Sequence, residues 1–111
     1  MSGALDGIRV LDLSTLVQGP QAAAMLHDLG AEVLKIELPD VGDMGRHVGV
    51  IEELGTSVFW EACNRGKRSV TLDLRTDAGR EAFLKLVESS DVVLSNFQPV
   101  SYTHLTLPTK A

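Results

Sequence analysis

The chain has little that could be cross-linked, little that is aromatic and no excess of positive charge. It carries one cysteine, Cys63. No intrachain disulfide can form, which suits a reducing cytosol. A thiol nucleophile needs a base beside it, and none lies near, so Cys63 reads as a small buried hydrophobe. Aromatic residues make up 5% of the chain, which leaves core packing to Leu, Val, Ile and Ala. The net charge of −5 argues against a nucleic-acid binder, although a local basic site remains compatible with an acidic total. No apolar run approaches the ~20 residues that span a bilayer. No charged segment followed by an apolar one marks a secretory signal. His27 and His47 lack partners at a metal-binding spacing such as His-x-x-x-His, so no metal is expected. What is present, 44% apolar and 23% charged residues in a chain of 111, is ordinary for one small globular domain.

The order of segments predicts an α/β fold. Ile8, Val10, Leu11 and Leu13 read as a first strand buried on both faces, as a parallel sheet requires. Gly19-Pro20 breaks the chain, with Pro20 suited to the first position of a helix. Gln21 to Leu29 continue that helix, and Gly30 stands where a left-handed residue closes it. Val33, Leu34 and Ile36 form strand two, completing a tight strand–helix–strand crossover. Residues 39–55 read as a glycine-rich loop, long enough to be functional or mobile. Thr56 to Cys63 predict a short helix carrying Val58, Phe59 and Trp60. Ser69 to Leu74 alternate as strand three, with Val70, Leu72 and Leu74 on one side and Thr71 and Asp73 on the other. Thr76 is a candidate N-cap for a helix over 78–87 with an apolar stripe at Ala82, Phe83, Leu86 and Val87. Asp91 to Leu94 make strand four.

The last twelve residues, VSYTHLTLPTKA, change character. They are rich in threonine, lack acidic residues, and as physics alone would suit an edge strand. Val100 to Thr109 also resemble the conceptual translation of a transposase-end adapter used in preparing DNA libraries. Residues 100–111 are therefore expected to be a non-native tail, excluded from the fold.

Three places could carry chemistry. The turn from Ser14 to Gln18 leads into a helix N-terminus, whose free N–H groups and partial positive charge attract anions. Residues 64–75 hold Arg65, Lys67, Arg68 and Arg75, four of the ten basic residues. Such a cluster suits either a phosphate-bearing ligand or a solvated loop paired with carboxylates. Asn96-Phe97 follow strand four, and ligands of open α/β sheets sit beyond the carboxyl ends of the strands. There Phe97 either stacks on a ring or caps the core. Asp40, Asp43, Glu52 and Glu53 crowd the long loop, but nothing marks a catalytic pair. Glu37 stands 18 residues after Gly19, near where a ribose-binding acid sits in dinucleotide-binding domains, yet the G-x-G-x-x-G turn is missing.

Several motifs, in order, match one family: LDGIRVLDLS near the start, Gly19-Pro20, DLGAEVLKIE at 28–37, GDMGR at 42–46, NRGKRSVTLDL at 64–74, Gly79-Arg80 and SNFQP at 95–99. Residues 5 to 99 thereby resemble the class III coenzyme A transferases of the CaiB/BaiF type, which include formyl-CoA and carnitine CoA-transferases. The resemblance stops at Val100, where the tail begins.

The resemblance implies a Rossmann-like parallel sheet with flanking helices, the incomplete N-terminal part of a larger domain, with residues 1–99 as its CoA-binding half. It implies CoA contacts at Val17 and Gln18, at Leu72, Asp73, Leu74 and Arg75, and at Asn96, Phe97 and Gln98. Leu38 stands where some members carry a CoA-contacting arginine. It implies a cytoplasmic, interlocked homodimer acting on an acyl-CoA and a carboxylic acid, with no nucleic acid, membrane or metal. The family's catalytic aspartate, which takes up the acyl group as an anhydride, lies downstream of residue 99. No residue here is therefore expected to be catalytic, and the chain alone is expected to be inactive. An acyl-CoA racemase of the same superfamily, a dinucleotide-binding module and a non-functional fragment are the alternatives.

Overall fold

The computed structural model describes residues 3–96. The expected α/β architecture is present: four parallel strands with helices on both sides. Strand β1 (Arg9–Asp12) leads into helix α1 (Gln18–Asp28) and strand β2 (Glu32–Glu37). A short 3-10 helix (Met44–His47) and a small antiparallel hairpin of β3 (Val50–Ile51) and β4 (Thr56–Ser57) follow. Then come helix α2 (Val58–Cys63), strand β5 (Arg68–Thr71), helix α3 (Asp77–Glu88) and strand β6 (Val92–Leu94). The sheet order is β5-β2-β1-β6. Among the described residues no helix is long and apolar enough to cross a membrane.

Alternation along the strands divides the side chains between two faces. Leu11, Leu13 and Ile36 point to one side, where Leu74 and Phe83 join them beneath α3. Val10 and Val33 point to the other, where Ala23 of α1 and Ala31 pack on them. Cys63 is buried, as the composition suggested.

Several local expectations shift by a few residues. Helix α1 begins at Gln18 with Val17 as its N-cap, so Pro20 is the third helical residue. It still lies in the first turn, where its missing N–H leaves no intrahelical bond unmade. Gly19 is required for packing: a Cβ there would lie 2.2 Å from the Ser14 Cβ. Residues 39–55 are more ordered than a plain loop, because Asp43 caps the 3-10 helix and the hairpin pairs Val50 with Ser57. Ser57, in β4, accepts hydrogen bonds from the Phe59 and Trp60 amides and so starts α2 at Val58, two residues later than the sequence suggested. Strand β5 ends at Thr71, leaving Leu72 to Arg75 as the turn beyond it, with the Leu72 amide still bonded to the Glu37 carbonyl. Thr76 caps α3 as expected, accepting from the Gly79 amide at 3.0 Å.

Candidate functional site

On the α1 face the apolar columns become charged toward the carboxyl ends of the strands. Two residues beyond Val10 stands Asp12, and two beyond Val33 stands Lys35. Asp12 and Lys35 are direct partners in the parallel register. Both are buried, at 0% and 1% exposure. Buried charges need partners and hydrogen bonds, and these have them. Lys35 Nζ lies 2.6 Å from Asp43 Oδ2 and 3.8 Å from Asp12 Oδ2, and donates to the Ser14 carbonyl at 3.1 Å. Lys67 Nζ reaches in from the α2–β5 connection to Asp12 Oδ2 (2.6 Å), Asn64 Oδ1 (2.8 Å) and the Pro20 carbonyl (3.0 Å). Burial pushes the Lys67 ammonium below the usual lysine range, and Asp12 partly opposes the shift. Asp12 Oδ1 accepts from the Ser14 amide at 2.9 Å and from the Ser14 hydroxyl.

A second ionic knot adjoins the first. Glu37, at the end of β2, accepts both Nε and Nη2 of Arg46 at 2.8 Å, the Asp43 amide at 2.8 Å and the Ser69 hydroxyl. Burial alone would raise its carboxyl. The Arg46, Ser69 and Asp43 donors together outweigh burial and lower its pKa from the ordinary 4.5 to about 2. The Arg46 guanidinium lies 3.5 Å from the Trp60 ring centroid, so α2 covers the knot with an aromatic face. Gly42 permits this arrangement. Its φ is +71°, and a Cβ there would sit 2.6 Å from Glu37 Oε1.

Above these groups lies a cleft of about 50 Å³ at the carboxyl ends of β1, β2 and β5. Leu13, Thr15, Lys35, Glu37, Leu72 and Leu74 are among its lining residues, as is Leu38. The neighbouring backbone is strained: Leu16 adopts φ +70°, a conformation that L-residues with a Cβ rarely hold and that tends to mark functional turns.

The positions named from the sequence fall around this cleft unevenly. Leu72 and Leu74 line it. Val17 and Gln18 lie exposed at the start of α1, two and three residues past the lining residue Thr15. Asn96 grips that same turn, accepting from the Thr15 amide (3.1 Å) and donating to the Thr15 carbonyl (2.9 Å). Asp73 and Arg75 pair with each other at 2.9 Å on the surface turn beyond β5. The Arg75 hydrogen bond lowers the Asp73 pKa. Phe97, Gln98 and the tail over 100–111 lie outside the described residues.

The basic cluster of residues 64–75 is mostly committed to partners within the chain. Lys67 is buried in the ionic network, Arg65 pairs with Asp28 at 2.6 Å and Arg75 pairs with Asp73. Among the described residues Arg68 alone of the four makes no ion pair. Sequence reasoning passed over Asp12, Lys35, Arg46 and the role of Asp43. The available signal was an acid in one apolar strand and a base in the next, each two residues past a core valine.

Comparison with known proteins gives a consistent set of relatives. Residues 5–111 match the model of CoA-transferase family III. The chain is 48% identical over 100 residues to a succinyl-CoA:mesaconate CoA-transferase of Haloarcula hispanica, covering 86% of this chain and 25% of that protein. It is 39% identical over 101 residues to a formyl-CoA:oxalate CoA-transferase of Rhodopseudomonas palustris, covering 89% and 23%. A crystal structure of a CAIB/BAIF family protein from Brucella suis superposes with a TM-score of 0.84 at 40% identity, over 95% of this chain and 29% of that one. A hypothetical protein from Mycobacterium tuberculosis superposes with a TM-score of 0.85 at 40% identity, over 94% and 28%. The chain spans about a quarter of the length of the curated relatives it matches.

Proposed function

The chain belongs to CoA-transferase family III, and from that premise we propose that residues 1–99 form the CoA-binding part of an enzyme that moves CoA from an acyl-CoA to a carboxylic acid. The names of the relatives pair an acyl-CoA with a small dicarboxylic acid, and we carry that class of substrates over. The observation that supports the reading most is the cleft at the strands' carboxyl ends, the place where open α/β sheets receive ligands. At about 50 Å³ the cleft cannot enclose a nucleotide. CoA's nucleotide end therefore lies across the rim, between the turn of Thr15, Val17 and Gln18 and the turn of Leu72 to Arg75, with Asn96 beside the first; Phe97 and Gln98, the next two residues in sequence, we assign to the same contact. Its phosphates meet backbone amides at the start of α1 and the Arg75 guanidinium. Leu38, exposed at the rim, offers no charge there.

The dinucleotide alternative is weakened by Glu37. A ribose-binding acid must offer its carboxylate to the ligand, whereas both oxygens here are held by Arg46, with Ser69 and the Asp43 amide adding further bonds. Calorimetric titration of the chain with CoA and with NAD separates the readings: CoA heat that NAD does not displace supports ours, and NAD binding without CoA binding refutes it. We assign no catalytic residue within 1–99. On this reading the 111-residue chain binds CoA without exchanging it, and transferase and racemase chemistry both fall to segments that it does not contain. Association into a homodimer is supported by exposed apolar side chains, Val92 and Val93 on the edge strand β6 and Ile51 and Leu54 on the hairpin, since such surface calls for cover. A cytoplasmic setting is supported by the single, unpaired Cys63. Residues 100–111 we read as a non-native tail; an uninterrupted frame encoding them in source DNA would refute this.

A further inference from the structure

Asp43 lies in a glycine-rich stretch whose acids carry no evident chemistry, yet its side chain is 0% exposed and it joins three parts of the molecule. Its Oδ1 accepts from the Leu16 amide at 2.9 Å and from the Gly45 amide at 2.7 Å. Its Oδ2 faces Lys35 Nζ at 2.6 Å. Its own amide donates to Glu37 Oε1 at 2.8 Å. Leu16 is the residue held at φ +70°, with 43% of its surface exposed. Solvent exposure gives that leucine no packing reason to stay in a left-handed conformation. The bond that does hold it there is charge-assisted, which makes it among the stronger kinds, and the acceptor is itself fixed by a buried lysine.

We propose that Asp43 is the positioning residue that sets the turn Leu16–Gln18 for ligand. It touches no ligand itself. It clamps the Leu16 backbone, so that Val17 and Gln18 and the first free amides of α1 are presented in one arrangement before anything binds. Preorganisation of this kind raises affinity by removing the cost of ordering the turn during binding. Lys35 serves it from below by fixing the carboxylate, and the 3-10 helix serves it from the side through Gly45. The part of the inference that concerns ligand rests on the CoA reading above; the clamp itself does not.

The test has two arms on the full 111-residue chain. In the unaltered protein, amide hydrogen exchange read by NMR is expected to show Leu16 as slowly as Val10 and Val33, although Leu16 lies in a turn outside the strand ladders. Fast exchange at Leu16 beside slow strand amides overturns the clamp without any variant. In Asp43→Ala and in the milder Asp43→Asn, Leu16 and Gly45 exchange is expected to accelerate at least tenfold while strand amides keep their protection. The dissociation constant for CoA is expected to rise about tenfold in Asp43→Ala. A folded variant that loses Leu16 protection but binds CoA as tightly as the unaltered chain refutes the positioning role. If the unaltered chain shows a slow Leu16 amide but no CoA binding, the CoA reading and the positioning role fall together, and only the clamp stands.

Discussion

The two faces of the sheet solve the burial problem differently. Beneath α3, Leu11, Leu13, Ile36, Leu74 and Phe83 make a purely apolar layer. On the α1 face the layer is apolar only at the amino ends of the strands, at Val10 and Val33. At the carboxyl ends it gives way to Asp12, Lys35, Glu37, Asp43 and Lys67, all buried or nearly so. An apolar layer stabilises without direction, because burial is favourable whatever the mutual orientation. A charged layer adds little net stability once desolvation is counted, but every member must meet its partner. The difference assigns the first face to holding the fold together and the second to fixing the loops that border the cleft.

The sharpest way to break that comparison is a pair of same-size substitutions in adjacent residues of β2. Lys35→Met strips the cation from between Asp12 and Asp43 and is expected to cost about 3–5 kcal/mol. Ile36→Leu repacks the opposite face at under about 1.5 kcal/mol. Urea unfolding of both variants measures the contrast, and equal costs would erase it.

Next in size is an acid-range effect. The Glu37 carboxyl titrates at about 2 when folded and near 4.5 otherwise. The unfolded chain therefore binds the extra proton between those values, and stability falls as pH drops from 4.5 toward 2. The contribution is fully present above that window. Arg46→Gln removes the principal donor and is expected to flatten this part of the pH–stability curve, whereas Ile36→Leu leaves its shape alone.

A smaller effect belongs to the α3 side. Thr76→Ala removes the cap on the Gly79 amide and the hydroxyl bond to the Asp73 carbonyl, and is expected to cost about 1 kcal/mol in thermal or urea melts, acting on stability and not on a side chain that meets CoA. Arg75→Gln should do the reverse. Its side chain is 80% exposed, so melting is expected to be unchanged, while the CoA dissociation constant rises roughly threefold to tenfold and becomes less sensitive to salt.

Much of the scaffold was legible because its signals are local. Strand periodicity, the Gly30 stop and the Thr76 cap each depend on a few neighbouring residues. The hairpin over 50–57 was not, since its strands are two residues each and their pairing rests on contacts that a linear reading cannot see. The basic cluster misled for the same reason. Lys67 looks like surface charge in the run NRGKRS, and only the approach of β1 turns it inward to Asp12. Lys35 and Asp12 were visible as charges inside apolar strands, but their meaning required the register that sets them side by side.

The central claim is that CoA's nucleotide end rests on the rim shared by the first turn and the turn after β5. Titration of the isotopically labelled chain with CoA, followed amide by amide, tests it most directly. Saturable shifts are expected at Thr15 to Gln18, at Leu72 to Arg75 and at Asn96, with helix α3 itself silent. Saturable binding whose shifts fall on α3 or the hairpin, with those three segments unmoved, would contradict it.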